Sequence, residues 1–146
     1  CVIETDLELL LPDHYITNFT ERLNLYKELD SIETENGLIE FRERLTDRFG
    51  PVPEQTSSLI ETIRLRWMAR KLGFEKIVLR KSRLIAYFIS KPESGYFQSP
   101  QFGTILEFIK VNPNDCKLKE ENEKLFLVFR NVTTIEQAIE QLSRIE

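Results

Sequence analysis

Cysteine, histidine and glycine are all scarce in this 146-residue sequence, and each shortage excludes a kind of chemistry. The two cysteines, Cys1 and Cys116, stand far apart and neither belongs to a C-x-x-C pair. A disulfide framework or a zinc site is therefore not expected, and a reducing, cytoplasmic setting suits the chain. His14 is the single histidine, set in LPDHY with nothing nearby to build a metal site or a proton relay, and reads as an exposed loop residue. The five glycines are isolated, so neither a Walker-type loop nor a dinucleotide fingerprint exists. No apolar run approaches the ~20 residues of a membrane helix, and no basic-then-apolar opening marks a signal peptide. No cofactor and no catalytic constellation are expected.

The remaining composition is ordinary. Charged residues make up 30% and hydrophobic residues 41%, which suits a globular chain able to bury a core. The net charge of −4 argues against a binder that grips nucleic acid with its whole surface. The chain opens at Cys1, without a methionine, directly into VIETDLELLLP. It is expected to be one domain, residues 1–146, cut from a longer polypeptide.

Patterning predicts an α+β architecture: an N-terminal strand and a helical hairpin, a central two-sided helix, then β-β-α-β-β-α with a mostly antiparallel sheet. Residues 2–11 alternate imperfectly and predict a strand. Asn18 and Glu21 have capping-box spacing for a helix to about Ser31, with Phe19, Leu23, Tyr26 and Leu29 inward. A second helix is delimited by Thr34 as N-cap and by Gly50, Pro51 and Pro53 at its end; its stripe is Leu38, Phe41, Leu45 and Phe49. A third runs from about Pro53 to Gly73 with apolar residues on two sides, and Trp67 is expected in the core. Strands follow at 74–80 and 83–90, then a loop with Pro92, Ser94 and Gly95. Ser99-Pro100 opens a helix with Phe102, Ile105, Leu106 and Ile109 inward. A second hairpin spans 116–120 and 124–130. Thr133 and Glu136 are read as the capping box of a last helix lined by Ile135, Ala138, Ile139, Leu142 and Ile145.

Two charged features stand apart from this scaffold. On the outer face of the second helix, Glu40 and Arg44 form a favourable i,i+4 pair, whereas Glu43 and Asp47 are a like-charged one. Asp47 also sits in the last turn, where the helix dipole disfavours an anion. Either Arg44 and Arg48 neutralise it and the cost is tolerated, or an external cation meets it. The second feature is a basic run: Arg64, Arg66, Arg70, Lys71, Lys76, Arg80, Lys81 and Arg83 fall within twenty residues, with Glu75 the only acid in that stretch. Stems packed beside an apolar stripe and turn lysines that resist edge pairing account for it; a phosphate-contacting patch on Arg64, Arg66, Arg70, Lys71 and Lys81 is the alternative.

The segments DLELLLPDHYI, RLNLYKEL, LTDRFGPVP and ARKLGF, in that order and spacing, resemble the C-terminal domain of bacterial transcription-repair coupling factors. Residues 6 to about 90 carry the likeness, and the rest agrees in layout. The resemblance implies a non-catalytic regulatory domain of a DNA translocase whose ATP-driven motor, and whose main DNA contacts, lie elsewhere. It further implies packing against a UvrB-like N-terminal module of the same protein, masking the surface that recruits UvrA until RNA polymerase is engaged. Asp47 matches the family's contacting acid. The family pattern has another acid three residues earlier, where this sequence has Arg44 with Glu43 beside it. Asp47, Arg44, Glu43, Glu40 and Arg48 are thus the expected partner-binding residues.

Overall fold

Helix boundaries follow from local capping chemistry. The structure, a computed structural model, describes residues 1–89 and 95–145. Helix α1 (Phe19–Ser31) begins where the Asn18 side chain accepts a hydrogen bond from the Glu21 amide. Helix α2 (Glu35–Phe49) begins with Thr34 accepting from the Gly37 amide at 3.0 Å and ends at Gly50, whose φ of 90° a side chain would disfavour. Helix α3 (Glu54–Leu72) starts behind Pro53, whose carbonyl accepts from the Ser57 amide, and ends at Gly73. Helix α4 (Pro100–Val111) is capped by Ser99, after a short 3₁₀ turn at Tyr96–Gln98 that the residue pattern does not signal. Helix α5 (Ile135–Ser143) is capped one residue later than expected: Thr134 accepts from the Gln137 amide, and the Gln137 side chain returns to the Thr133 amide.

The chain divides into two compact units, Glu8–Ile63 and Cys1–Leu7 with the chain from Arg64 onward, so α3 contributes to both. The first is helical. Its core is Leu11, Ile16, Leu25, Leu29, Leu38, Phe41, Leu45 and Ile60, with Thr56 fully buried and its hydroxyl donating to the Leu10 carbonyl at 2.9 Å. The expected stripe of α1 is out of phase: Phe19 and Leu23 are 65% and 43% exposed, and Leu25 takes the inward place beside Leu29. Two side chains of α1 hold the preceding loop. Tyr26 accepts from the Leu11 amide at 2.7 Å, and Arg22 donates to the Ile16 carbonyl at 2.6 Å.

The second unit is a five-stranded sheet with helices. Strands β1 (Val2–Thr5), β2 (Phe74–Arg80), β3 (Arg83–Phe88), β4 (Cys116–Glu121) and β5 (Lys124–Arg130) lie in the order β1-β2-β3-β5-β4, with β1 parallel to β2 and all other pairs antiparallel. The strand expected over 2–11 stops at Thr5, where the Thr5 hydroxyl accepts from the Leu7 amide and turns the chain. Both hairpins close through two residues at positive φ, Lys81-Ser82 and Asn122-Glu123, a geometry that matches the twist of the strands. Strand β3 ends at Phe88; Ser90 and the loop positions Pro92 and Ser94 lie outside the described residues.

One sheet face is apolar. Ile77, Leu79, Leu84, Ala86, Phe88, Leu127 and Phe129 are buried there. Phe108 of α4 packs on Phe129 with ring centroids 6.4 Å apart, and Phe102 meets Phe88 edge-on at 5.3 Å. Phe108 is the buried residue of α4 alongside Ile105, whereas Leu106, expected inward, is exposed. In α3 residues of both expected sides are buried, Ile60 and Ile63 on one and Leu65, Ala69 and Leu72 on the other, but Trp67 is half-buried rather than in the core.

Candidate interaction surface

The outer face of α2 is held in register by its neighbour α1. Arg44 pairs with Glu28, and its guanidinium lies 5.8 Å from the centre of the Phe41 ring. Arg48 pairs with Glu21 and lies 4.8 Å from the Phe49 ring. The Glu40–Arg44 pair expected from i,i+4 spacing is therefore not formed, because the inter-helix carboxylate of Glu28 claims the arginine. Beneath the two arginines Leu25, Phe41, Leu45 and Phe49 line a small apolar cavity of about 90 Å³.

This arrangement sorts the charges of α2. Glu40, Glu43 and Asp47 are exposed, and among the described residues none of their carboxylates has an ion pair or hydrogen bond. Their spacing of three and four residues puts them along one line of the helix. The cations that were candidates to neutralise them are turned towards α1. What remains is an acidic ridge ending at Asp47, in the last turn, where the helix dipole already makes the potential negative.

The end of α2 is fixed by residues that charge patterning did not flag. The Tyr15 hydroxyl donates to the Gly50 carbonyl at 2.8 Å and also approaches the Leu45 carbonyl at 3.3 Å, while its ring meets Phe49 at 5.8 Å. Burial raises the Tyr15 phenol above its ordinary range, partly offset by Arg42. Arg42 in turn donates to the Ser57 hydroxyl at 2.8 Å and approaches Glu61 at 4.0 Å, joining α2 to α3. Asp47 thus projects from a helix end held on two sides.

The basic run is dispersed. Arg70 and Lys71 are exposed in the last turn of α3, where a cation suits the dipole. Arg66 and Arg70 both act on the Cys1 amino group, which burial and then these two guanidiniums hold below its ordinary value. Arg64, Arg66 and Lys71 are each engaged in interactions of their own. Lys81 sits in the β2–β3 turn, beyond a seven-residue strand, about 20 Å from the end of α3 at 3.3 Å per residue. Lys76 and Arg80 share Glu4 at 3.3 and 4.0 Å. Among the described residues no group of three or more His, Cys, Asp or Glu is arranged to hold a metal ion, and no helix is long and apolar enough to cross a membrane.

The TRCF domain family matches residues 5–99, which take in all of α1, α2 and α3 and the first hairpin. The chain belongs to the TRCF domain family. Transcription-repair-coupling factor of Escherichia coli (strain K12) is 42% identical over 78 residues, covering 51% of this chain and 7% of that protein. Its counterpart in Rickettsia typhi is 24% identical over 135 residues, 90% of this chain and 11% of that protein. The one in Borreliella burgdorferi is 27% identical over 139 residues, 92% of this chain and 12% of that protein. The chain therefore spans about a tenth of the length of these relatives. A crystal structure described as the C-terminal domain of transcription-repair coupling factor superposes with a TM-score of 0.76 at 20% identity, covering 99% of this chain and 93% of that one, so the fold is shared throughout.

Within the TRCF match lie the motif residues with the clearest structural roles. Tyr15 of LPDHYI reaches Gly50 of DRFG, and Arg22 and Tyr26 of RLNLYK hold residues 11 to 16. Leu72 and Gly73 of ARKLGF meet Tyr96, whose hydroxyl donates to the Leu72 carbonyl at 2.5 Å. These hydrogen bonds give the segments a scaffold role, leaving Asp47 as the exposed residue of DRFG whose side chain has no partner among the described residues.

Proposed function

We propose that this chain is a non-catalytic regulatory domain of a cytoplasmic transcription-repair coupling factor, acting through the acidic ridge of α2 as a charged latch. Its partner is the UvrB-like N-terminal module of the same polypeptide. In the latched state the surface of that module that recruits UvrA is covered, and engagement of RNA polymerase by the parent protein releases it. The observation that carries this reading is Asp47: exposed, unpaired among the described residues, in an unfavourable place for its own helix, and in line with Glu43 and Glu40.

A latch of this kind needs an interface that opens. Polar inter-domain contacts of modest size permit relative motion, and a partner that binds only the open form shifts the population by its differential affinity. An arginine on the facing module supplies the missing counter-charge for Asp47. Arg44 and Arg48 contribute by holding α2 on α1, which keeps the ridge in place rather than touching the partner first. The family's second acid is replaced by Arg44, and Glu43 on the adjacent position supplies a carboxylate to the same ridge.

The experiment is an Asp47→Ala substitution in the full-length parent protein with UvrA affinity as readout. UvrA binding rises while thermal unfolding of the domain stays unchanged. An unaltered UvrA affinity contradicts the latch.

A further inference from the structure

The face of the sheet opposite the core carries a second charged surface, distinct from α2. Strand register places Arg83 of β3 directly opposite Arg130 of β5, with Lys117 and Lys119 on the neighbouring strand β4. All four are exposed, and among the described residues none makes an ion pair. Like charges directly opposite each other in a sheet are destabilising, so nothing in folding calls for this pair. Edge-strand lysines commonly guard against edge-to-edge association, which accounts for Lys117 and Lys119. It does not account for Arg83 and Arg130, which lie on interior strands.

These side chains surround a groove of about 400 Å³ floored by Val128. Asp115 is the acid at its edge, and that carboxylate is engaged by Arg144 at 3.3 Å. Further along the same face lies a second groove of about 340 Å³, lined by Tyr87 and Phe126 with Lys76 and Lys124 beside them. The two rings pack at 5.2 Å, and the Lys76 ammonium lies 5.7 Å from the centre of the Tyr87 ring. Glu75, Glu121 and Asn122 complete the lining of this second groove. Exposed cations at one end and a partly exposed aromatic ring, Tyr87 backed by the buried Phe126, at the other are the two ingredients with which sheet surfaces hold unpaired nucleotides. The chain as a whole is acidic, at −4, so this concentration of positive charge is local to one face.

We infer that the outer sheet face binds single-stranded nucleic acid, with Arg83, Arg130, Lys117 and Lys119 on the phosphates and Tyr87 against a base. An acidic protein surface would satisfy the cations but leave the aromatic groove without a role. Contacts to phosphates and ring faces do not read the sugar, so DNA and RNA strands bind alike. Of the basic run in the sequence, this surface uses Arg83, with Lys76 at the aromatic end, and leaves the helix residues aside.

The test is fluorescence anisotropy of this chain with a labelled dT oligonucleotide of about twelve residues, titrated between about 50 and 200 mM salt. Binding weakens steeply with salt, a U oligonucleotide binds within about threefold, and a duplex of equal length binds more weakly. The Arg83→Gln/Arg130→Gln double variant loses about tenfold in affinity, and its log–log salt slope falls by roughly 1.4, at about 0.7 per lost phosphate contact. Tyr87→Leu, which keeps apolar bulk, loses about tenfold towards dT while keeping the salt slope. If the double arginine variant fails to fold, Lys117→Gln/Lys119→Gln on the exposed edge strand is expected to change affinity and slope in the same direction. Retention of dT binding by folded arginine and lysine variants overturns the proposal. So does equal binding of a poly-glutamate peptide with no effect of Tyr87→Leu, or a preference for duplex.

Discussion

The hydroxyl of Tyr15 donates a 2.8 Å hydrogen bond to the backbone carbonyl of Gly50, tying the loop before α1 to the residue that ends α2. The two lie in separate segments of the stretch that matches the TRCF domain family. Their bond fixes the turn from which Asp47 and Arg48 project. Tyr15→Phe removes it while keeping the ring against Phe49, and a net loss of about 1 kcal/mol is expected. Urea unfolding should show a lower midpoint at unchanged m-value. An unchanged midpoint would count against this role.

Gly73, immediately before β2, has no room for a side chain. Its φ is 97°, and a Cβ there would come within 2.0 Å of the Tyr96 ring. Gly73→Ala therefore combines a disfavoured backbone conformation with overpacking, and a cost of about 2–4 kcal/mol is expected from the two together. Chemical denaturation measures it directly. A loss under about 1 kcal/mol would mean that Tyr96 does not occupy this place.

Stability should fall at alkaline pH. Burial, with Asp115 adding and Arg144 opposing, pushes the Cys116 thiol from its ordinary value near 9 up to about 12. Burial also raises the Tyr96 phenol. In both cases the folded state holds its proton more tightly than the unfolded chain. The associated stability is complete below about pH 9 and is lost as pH rises towards the folded values. The urea midpoint should drop between pH 8 and 10.5, and less so in Tyr96→Phe. A flat midpoint across that window contradicts these environments.

Arg44→Ala separates scaffold from contact. The Arg44–Glu28 pair is solvent-exposed, so its loss should cost only about 0.2–1 kcal/mol of stability. Docking through the α2 ridge should weaken little, because Asp47, Glu43 and Glu40 remain. A loss of docking as large as that of Asp47→Ala would make Arg44 a direct contact instead.

What the sequence revealed depended on how local the physics was. Asn18, Thr34 and Ser99 were legible as caps because a cap bonds within three residues of itself. The stripes of α1 and α4 were read out of phase at Phe19, Leu23 and Leu106, since neighbouring leucines and phenylalanines fit two helical phases equally and only tertiary packing chooses Leu25 and Phe108. Residues 2–11 looked like one strand because the pattern of leucines continues past the Thr5–Leu7 turn that ends it. On α2, Asp47 stood out because its conflict with the helix dipole is local. The capture of Arg44 by Glu28 and of Arg48 by Glu21 spans sixteen and twenty-seven residues of sequence, and no spacing rule signals it. The cation tetrad of the sheet was likewise hidden, since register brings Arg83 of the first hairpin to Arg130 of the second, past an intervening helix.

The central claim is tested most directly by titrating this chain, wild type and Asp47→Ala in parallel, into the UvrB-like N-terminal module of its own parent protein by calorimetry. The account predicts saturable, salt-sensitive binding by the wild-type chain. The Asp47→Ala chain should bind about tenfold or more weakly, while both chains unfold at the same temperature. Equal affinity of the two chains, or no binding by either, would contradict it.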